Sequence, residues 1–237
     1  MQLISESFIT AFYLLISGDP DLFEIIFLSI KVSLTSLLGS VTIGLPLGAF
    51  LAIHRFKFRS LLISILNAMM GMPPVVVGLI VYLYFSRAGP LGFLSLLYTP
   101  TAMIIAQMLL VVPIIVALST QIIEDLHAEY HDLFCSLNVS TSKAVVAYLV
   151  DARISLLTVV LAGFGRAISE VGAVSIVGGN IDHLTRVMTT AIALETSKGN
   201  LDLALGLGII LLATAIVLNG FILFLRAKYL KTPGSTI

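Results

Sequence analysis

The sequence predicts an all-α membrane protein with five transmembrane helices, and three observations carry that prediction. Of the 237 residues, 58% are hydrophobic and only 11% are charged; mean hydropathy is +1.09, a composition foreign to a water-soluble domain of this size. Several apolar runs reach the roughly 20 helical residues that a ~30 Å hydrocarbon core requires. Lysine and arginine, finally, collect between and after these runs in segments that fall on one side of the membrane when the crossings are five.

Each element has its own local reason. Residues 3–16 (LISESFITAFYLLI) are apolar but short for a span, and read as a helix lying along the interface. With no basic stretch and with Glu6, this start does not resemble a cleavable signal peptide. The first span covers Leu22–Ile53: Asp19 can cap it, Pro20 suits the first helical position, and Asp21 and Glu24 suit the positive end of the dipole. Leu61–Ser86 is the second span, and the adjacent Pro73 and Pro74 must kink or interrupt it. Leu96–Ser119 is the third; its Pro113, like Pro46 in the first, reads as a plain kink. Ile154–Val177 is the fourth, closed by Gly178-Gly179-Asn180, and Leu201–Leu225 the fifth. Between these two, Leu184–Ser197 mixes apolar residues with Arg186 and Glu195, and reads as a short helix buried against protein or at the membrane edge. Glycines in GLPLG and GLGII allow close helix packing. The chain is expected to be one membrane domain, 1–237, with an external or interfacial segment 1–20, a core 22–225 and a tail 226–237.

Orientation follows from the basic residues. Arg55, Lys57 and Arg59 lie between spans one and two, Lys143 and Arg153 between three and four, and Arg226, Lys228 and Lys231 after five. All three groups are cytoplasmic if the N-terminus is outside and the C-terminus inside. A crossing by 184–197 would put the basic tail outside, which is why five spans are counted.

The hydrophilic segment 121–153 is too patterned for a linker. Ile122, Leu126, Tyr130, Leu133 and Leu137 recur at helical steps, Asn138 tolerates a left-handed turn, and Ser140 can cap a second helix through Tyr148. Two short helices with a bend are expected, either lying on the membrane surface or presented to a cytoplasmic partner.

Charges inside the spans point to function, because ionisable groups there face the bundle interior or a water-filled cavity. Arg166 and Glu170 are four apart, a spacing that sets both on one helical face, with Ser169 between them. They read either as an ion pair that fixes helix geometry or as part of an anion pathway, Arg166 attracting the anion and Glu170 limiting how tightly it is held. Pro73 and Pro74 likewise read as a static kink or as a hinge beside a pore. His127 and His131 share a helical face, but no further ligand set accompanies them and no metal site is expected; Cys135, the single cysteine, excludes an internal disulfide. No G-x-x-x-x-G-K-[ST], H-E-x-x-H or G-x-S-x-G occurs, so neither nucleotide binding nor hydrolysis is expected of this chain.

The segment around Leu137-Asn138-Val139-Ser140 resembles the cytoplasmic coupling loop of bacterial ABC importer permeases, whose pattern is Glu-Ala-Ala, then Leu-Gly-Ala-Ser, then Leu-Pro. Asp132-Leu133-Phe134 stands at the triplet, Asn138 at the glycine and Leu149-Val150 at Leu-Pro. GMPPVVVGLIVYL and GRAISEVGAVSIVGGN resemble segments of molybdate-type permeases, and NIDHLTRVMTTAIALETSKGNLDLAL resembles the tungstate branch of that group. The resemblance covers the chain from about residue 10.

What it implies is a permease subunit in a bacterial or archaeal cell membrane, paired with a second copy of itself. Two cytoplasmic ATPase subunits would dock at Asp132, Leu133, Phe134, Leu137, Asn138, Val139 and Ser140 and bind the ATP and Mg, with no cofactor in this chain. An external oxyanion-binding protein would deliver tungstate or molybdate. Pro73, Pro74, Arg166, Ser169 and Glu170 would line or gate the pathway; no nucleic acid is involved. The alternative is an ion-coupled secondary transporter acting without an ATPase. Such transporters commonly carry duplicated halves, whereas GMPPVVVG and RAISE each occur once.

Overall fold

The computed structural model describes residues 12, 13, 16 and 20–231. The expected interfacial helix over 3–16 and the cap at Asp19 lie outside the described residues, apart from isolated positions. No strand occurs among the described residues. The helices are α1 (Pro20–Ile53), α2 (Arg59–Met70), α3 (Pro74–Phe85), α4 (Pro100–Ser136), α5 (Thr141–Asp151), α6 (Arg153–Ile168), α7 (Gly172–Gly178), α8 (Met188–Lys198) and α9 (Leu201–Lys231), with a 3₁₀ turn at Gly92–Leu94.

Three of these, α1, α4 and α9, are long and apolar enough to cross a membrane unaided. Two bent pairs could each supply one more crossing: α2 with α3, bent by 103°, and Lys143–Asp151 with α6, bent by 75°. Large apolar side chains face outward on α9, where Leu212 is 61% and Val217 68% exposed. Lipid, not water, is the solvent that suits such a face.

By contacts the chain divides into two compact units. Unit 1 comprises Met1–Ser36, Pro73–Gln107 and Ala167–Phe221; unit 2 comprises Leu37–Met72, Met108–Arg166 and Ile222–Ile237.

In unit 2 the C-terminal part of α1 packs on α4 through glycine. A Cβ at Gly44 would lie 2.6 Å from Ile115 Cγ2, and one at Gly48 3.0 Å from the Val116 carbonyl. GLPLG therefore serves the close approach expected of it; Gly208, in GLGII, has nothing within 4 Å of its virtual Cβ. The third span runs on without interruption into the hydrophilic segment, so α4 ends only at Ser136. This replaces the first of the two short helices expected there. The second, α5, starts after Ser140 as expected but runs to Asp151, and the Ser140 side chain makes no capping bond. Asn138 takes the left-handed conformation (φ 52°) that the sequence anticipated. Ala49, Ala52, Ile123, Ala144 and Tyr148 form the buried core here, with Leu126, Tyr130 and Phe134 packed against it. Arg59, at the start of α2, donates through Nε to the Leu51 carbonyl at 2.7 Å and pairs with Glu124 of α4.

In unit 1 the half-helix α3 crosses α7. The second span is broken, because Met72 and Pro73 each precede a proline and are driven out of the helical region; Pro73 has ψ 124° and Pro74 opens α3. The fourth span is broken too, α6 stopping at Ile168 and α7 starting at Gly172, against the single helix Ile154–Val177 expected from hydropathy. α7 closes at Gly179, left-handed at φ 71°. Beyond the turn, α8 begins at Met188, four residues later than Leu184; its first turn is buried, and the Met188 amide donates to Ser29 Oγ of α1 at 2.8 Å.

The crossing of α3 and α7 is set by Gly78, whose virtual Cβ lies 2.7 Å from Ala173 Cα. Backbone cannot yield as a flexible side chain can, so Gly78→Val is expected to lower stability by about 1–3 kcal/mol, the usual cost of overpacking. Gly208→Ala, in open space, should leave the melting temperature nearly unchanged. Thermal unfolding of the two variants in detergent checks both.

Candidate functional site

The break between α6 and α7 places a charged residue and freed backbone groups in an apolar setting. Arg166 lies in the last turn of α6 and is partly buried; Glu170 lies beyond the helix end and is 3% exposed. The continuous helix that would set the two on one face is absent, because α6 has ended at Ile168. Ser169, in the turn between them, is exposed. Glu170 caps the next helix: its Oε1 accepts from the Ala173 amide at 3.0 Å. A carboxylate at that end also meets the positive pole of the peptide dipoles.

Other freed groups are met by side chains from distant parts of the chain. Gln107 Nε2, from α4, donates to the Ala167 carbonyl at 3.1 Å, and that carbonyl also accepts from the Glu170 amide in a longer turn contact of 3.4 Å. Thr189 Oγ1, from α8, donates to the Glu170 carbonyl at 2.9 Å. Ser36 Oγ, from α1, donates to Gln107 Oε1 at 2.8 Å. Gln107 and Thr189 were not anticipated as site residues, although Gln107 is the single amide in its apolar run, a signal that could have found it. A cavity of about 10 Å³ lies beside the break, lined by Ser29, Ser33, Gln107, Glu170 and Thr189 among others; it has room for one water at most. No oxyanion fits there in this conformation.

Pro73 and Pro74 sit in the same unit, at the start of α3, where Val75 Cγ2 is 2.9 Å from a Cβ placed on Gly172. The two helix breaks are thus neighbours through α3 and α7.

The coupling residues inferred from the resemblance lie at the α4–α5 turn. Asp132, Leu133, Leu137, Asn138 and Ser140 are exposed, with Leu133 at 53% and Leu137 at 65%. Phe134 faces inward against Tyr148, ring centroids 5.2 Å apart, and the Val139 amide donates back to the Phe134 carbonyl at 3.0 Å. Core and surface faces therefore differ from the stripe read in the sequence: Leu126 and Tyr130 pack inward, while Leu133 and Leu137 do not. His127 donates to or accepts from the Tyr148 hydroxyl at 2.9 Å, and His131 lies 3.7 Å from Cys135 Sγ. An open cleft of about 550 Å³ on the same hairpin is lined by Arg55, Arg59, Glu124, His127, His131 and Asp132, among others.

One further cluster was not anticipated. Potential ligand atoms of Asp21, Glu24 and His183 lie within 4.8 Å of one another on the surface of unit 1. His183 Nδ1 and Glu24 Oε2 are 2.8 Å apart. The hydrogen bond to Glu24, reinforced by the charges of Asp182, Glu24 and Asp21, holds the imidazole above its ordinary pKa.

Among the described residues the chain is helical, with broken helix pairs and a polar hairpin. The family model described as binding-protein-dependent transport system inner membrane component matches residues 44–231, and the chain belongs to that family. It is 42% identical over 228 residues to a tungstate uptake system permease protein of Peptoclostridium acidaminophilum, covering 96% of this chain and 100% of that one. It is 36% identical to the tungstate uptake system permease protein of Campylobacter jejuni, over 92% of each chain. With a sulfate transport system permease protein of Escherichia coli it shares 26% identity over 69% of this chain and 59% of the other. Membership in this family sets aside the secondary transporter.

Two outcomes test the site's electrostatics. Glu170→Ala, which removes the α7 cap, should destabilise the protein by roughly 0.5–2 kcal/mol, whereas Glu170→Gln keeps an acceptor and should cost less; melting in detergent compares them. At His183, a folded pKa above the ordinary ~6.5 means that the link to Glu24 is complete below that value and is lost as pH rises through the elevated one. Ring-proton NMR of the labelled protein in micelles should show His183 titrating late, and Glu24→Gln should return it towards the ordinary value.

Proposed function

We propose that this chain is the permease subunit of an ATP-binding-cassette importer for tungstate. The observation that carries the reading is the 42% identity spanning all of a relative named for tungstate uptake. Relatives named for sulfate stand lower, at 24% to 26%, which favours tungstate; molybdate, a dianion of the same tetrahedral shape, is the competitor. Two copies enclose the pathway, and an external binding protein delivers the anion. ATP and Mg are handled by two separate ATPase subunits, since the chain contains no phosphate-binding motif. The protein lies in a bacterial or archaeal cell membrane, N-terminus outside, with the α4–α5 hairpin and the basic tail in the cytoplasm. Five crossings follow if α2 with α3 makes one and α6 with α7 makes another. Leu133 and Leu137 support the docking role of the hairpin: two exposed leucines at one turn are surface that a partner can bury.

Labelled tungstate uptake into proteoliposomes should require the ATPase, the binding protein and ATP together. Uptake driven by an ion gradient without nucleotide would refute the reading. Leu133→Glu or Leu137→Glu should abolish co-purification of the ATPase and stop uptake, because a charge buried unpaired at the interface is strongly unfavourable. Both side chains are exposed in this chain, so its own stability should change by no more than about 0.5 kcal/mol. Normal co-purification with normal uptake would show that the docking assignment is wrong.

A further inference from the structure

We propose that Gln107 and Thr189 are positioning residues for transport, forming a latch on the α6–α7 break that opens and recloses in each transport cycle. The inference rests on the reading of the chain as an importer permease. Ser36, Gln107, Glu170 and Thr189 are all at least nine-tenths buried, at 0%, 3%, 3% and 8% exposure. Their bonds run from α1 to α4 (Ser36 Oγ to Gln107 Oε1), from α4 to the end of α6 (Gln107 Nε2 to the Ala167 carbonyl) and from α8 to the break (Thr189 Oγ1 to the Glu170 carbonyl). The Ala167 carbonyl determines which way the amide points: it can only accept, so the NH₂ group faces Ala167 and Oε1 faces the Ser36 hydroxyl.

A continuous helix would meet its own backbone groups and would need none of these side chains. The break makes 167–170 depend on donors carried by other helices, so its geometry follows theirs. The bonds thus gather α1, α4, the end of α6 and α8 within one compact unit. Hydroxyl and amide donors can exchange one carbonyl for another after a small shift, and packed elements with alternative pairings have discrete settings, not a continuum. The adjoining cavity of about 10 Å³ is too small to hold the anion, which makes the cluster a joint and not a substrate site.

The test uses the complex of this chain with its ATPase and binding protein in proteoliposomes, reading labelled tungstate uptake and ATP hydrolysis per folded complex. Thr189→Val keeps shape and removes the donor, Gln107→Leu removes the amide, and Thr189→Ser restores a hydroxyl. Uptake should fall about tenfold or more in the first two, as expected for misplacement of a positioned element. Hydrolysis should stay near wild type, and Thr189→Ser should transport nearly normally. Because both rates are read per folded complex, a parallel fall of uptake and hydrolysis, or no fall in either variant, overturns the latch. A second measurement does not depend on those variants folding. In a Cys135→Ser background, Ser169→Cys should react with maleimide at clearly different rates in nucleotide-free and vanadate-trapped complexes; equal rates overturn the latch. Labelling is read without substrate, so a wild-type complex that fails to take up tungstate counts against the substrate reading alone.

Discussion

Backbone amides and carbonyls inside hydrocarbon must find partners within the protein, since no water is there to supply them. The long helices α1, α4 and α9 meet this demand by their own ladders, and their hydroxyl side chains do so locally: Ser29 donates to the Ile25 carbonyl, Thr42 to Leu38 and Thr120 to Val116. The helix breaks cannot. At Pro73-Pro74 the problem is reduced chemically, because proline has no N–H to satisfy. At Ser169–Val171 no proline is present, and Gln107, Thr189 and Glu170 supply the missing partners. That dependence ties the break to α1, α4 and α8, and the rest of unit 1 is arranged around it.

Close packing then holds the half-helices together. Gly78 allows α3 to approach Ala173 of α7, and the Tyr98 amide donates to the Val177 carbonyl near the end of the same half-helix at 3.0 Å. Thr185 Oγ1 donates to the Gly178 carbonyl at 2.6 Å, so the C-terminal end of α7 is also held by groups outside it. A half-helix of seven residues has little stability of its own. It exists because its ends and one face are occupied by other elements. In unit 2 the same logic works with apolar groups: Tyr148 and Phe134 close the α4–α5 hairpin from inside, leaving Leu133 and Leu137 outside at the turn.

Much of this was legible in the residues themselves. Membrane character, the start of α1 at Pro20, the interruption at Pro73-Pro74, the left-handed Asn138 and the existence of a short helix within 184–197, though not its start, all follow from local chemistry: apolar length, fixed φ, a missing donor. The charge at Glu170 was legible as a site worth notice, four residues from Arg166, but its capping of α7 was not, because that depends on the helix ending at Ile168. Likewise the spacing of Leu126, Tyr130, Leu133 and Leu137 described one stripe, and the structure divides it between core and surface because α4 continues straight into the hairpin and α5 covers only part of that face.

The sequence by itself determined that the chain is helical, that it belongs in a bilayer and where proline forbids a helix, since hydropathy and backbone sterics act within a few residues. Only the tertiary structure decided that 169–171 is not helical, that Gln107 and Thr189 serve that break, and that α4 has no stop before Ser136. The partners of the break stand 19 to 71 positions apart in the chain, and a hydrogen bond between such groups leaves no periodic trace around either one.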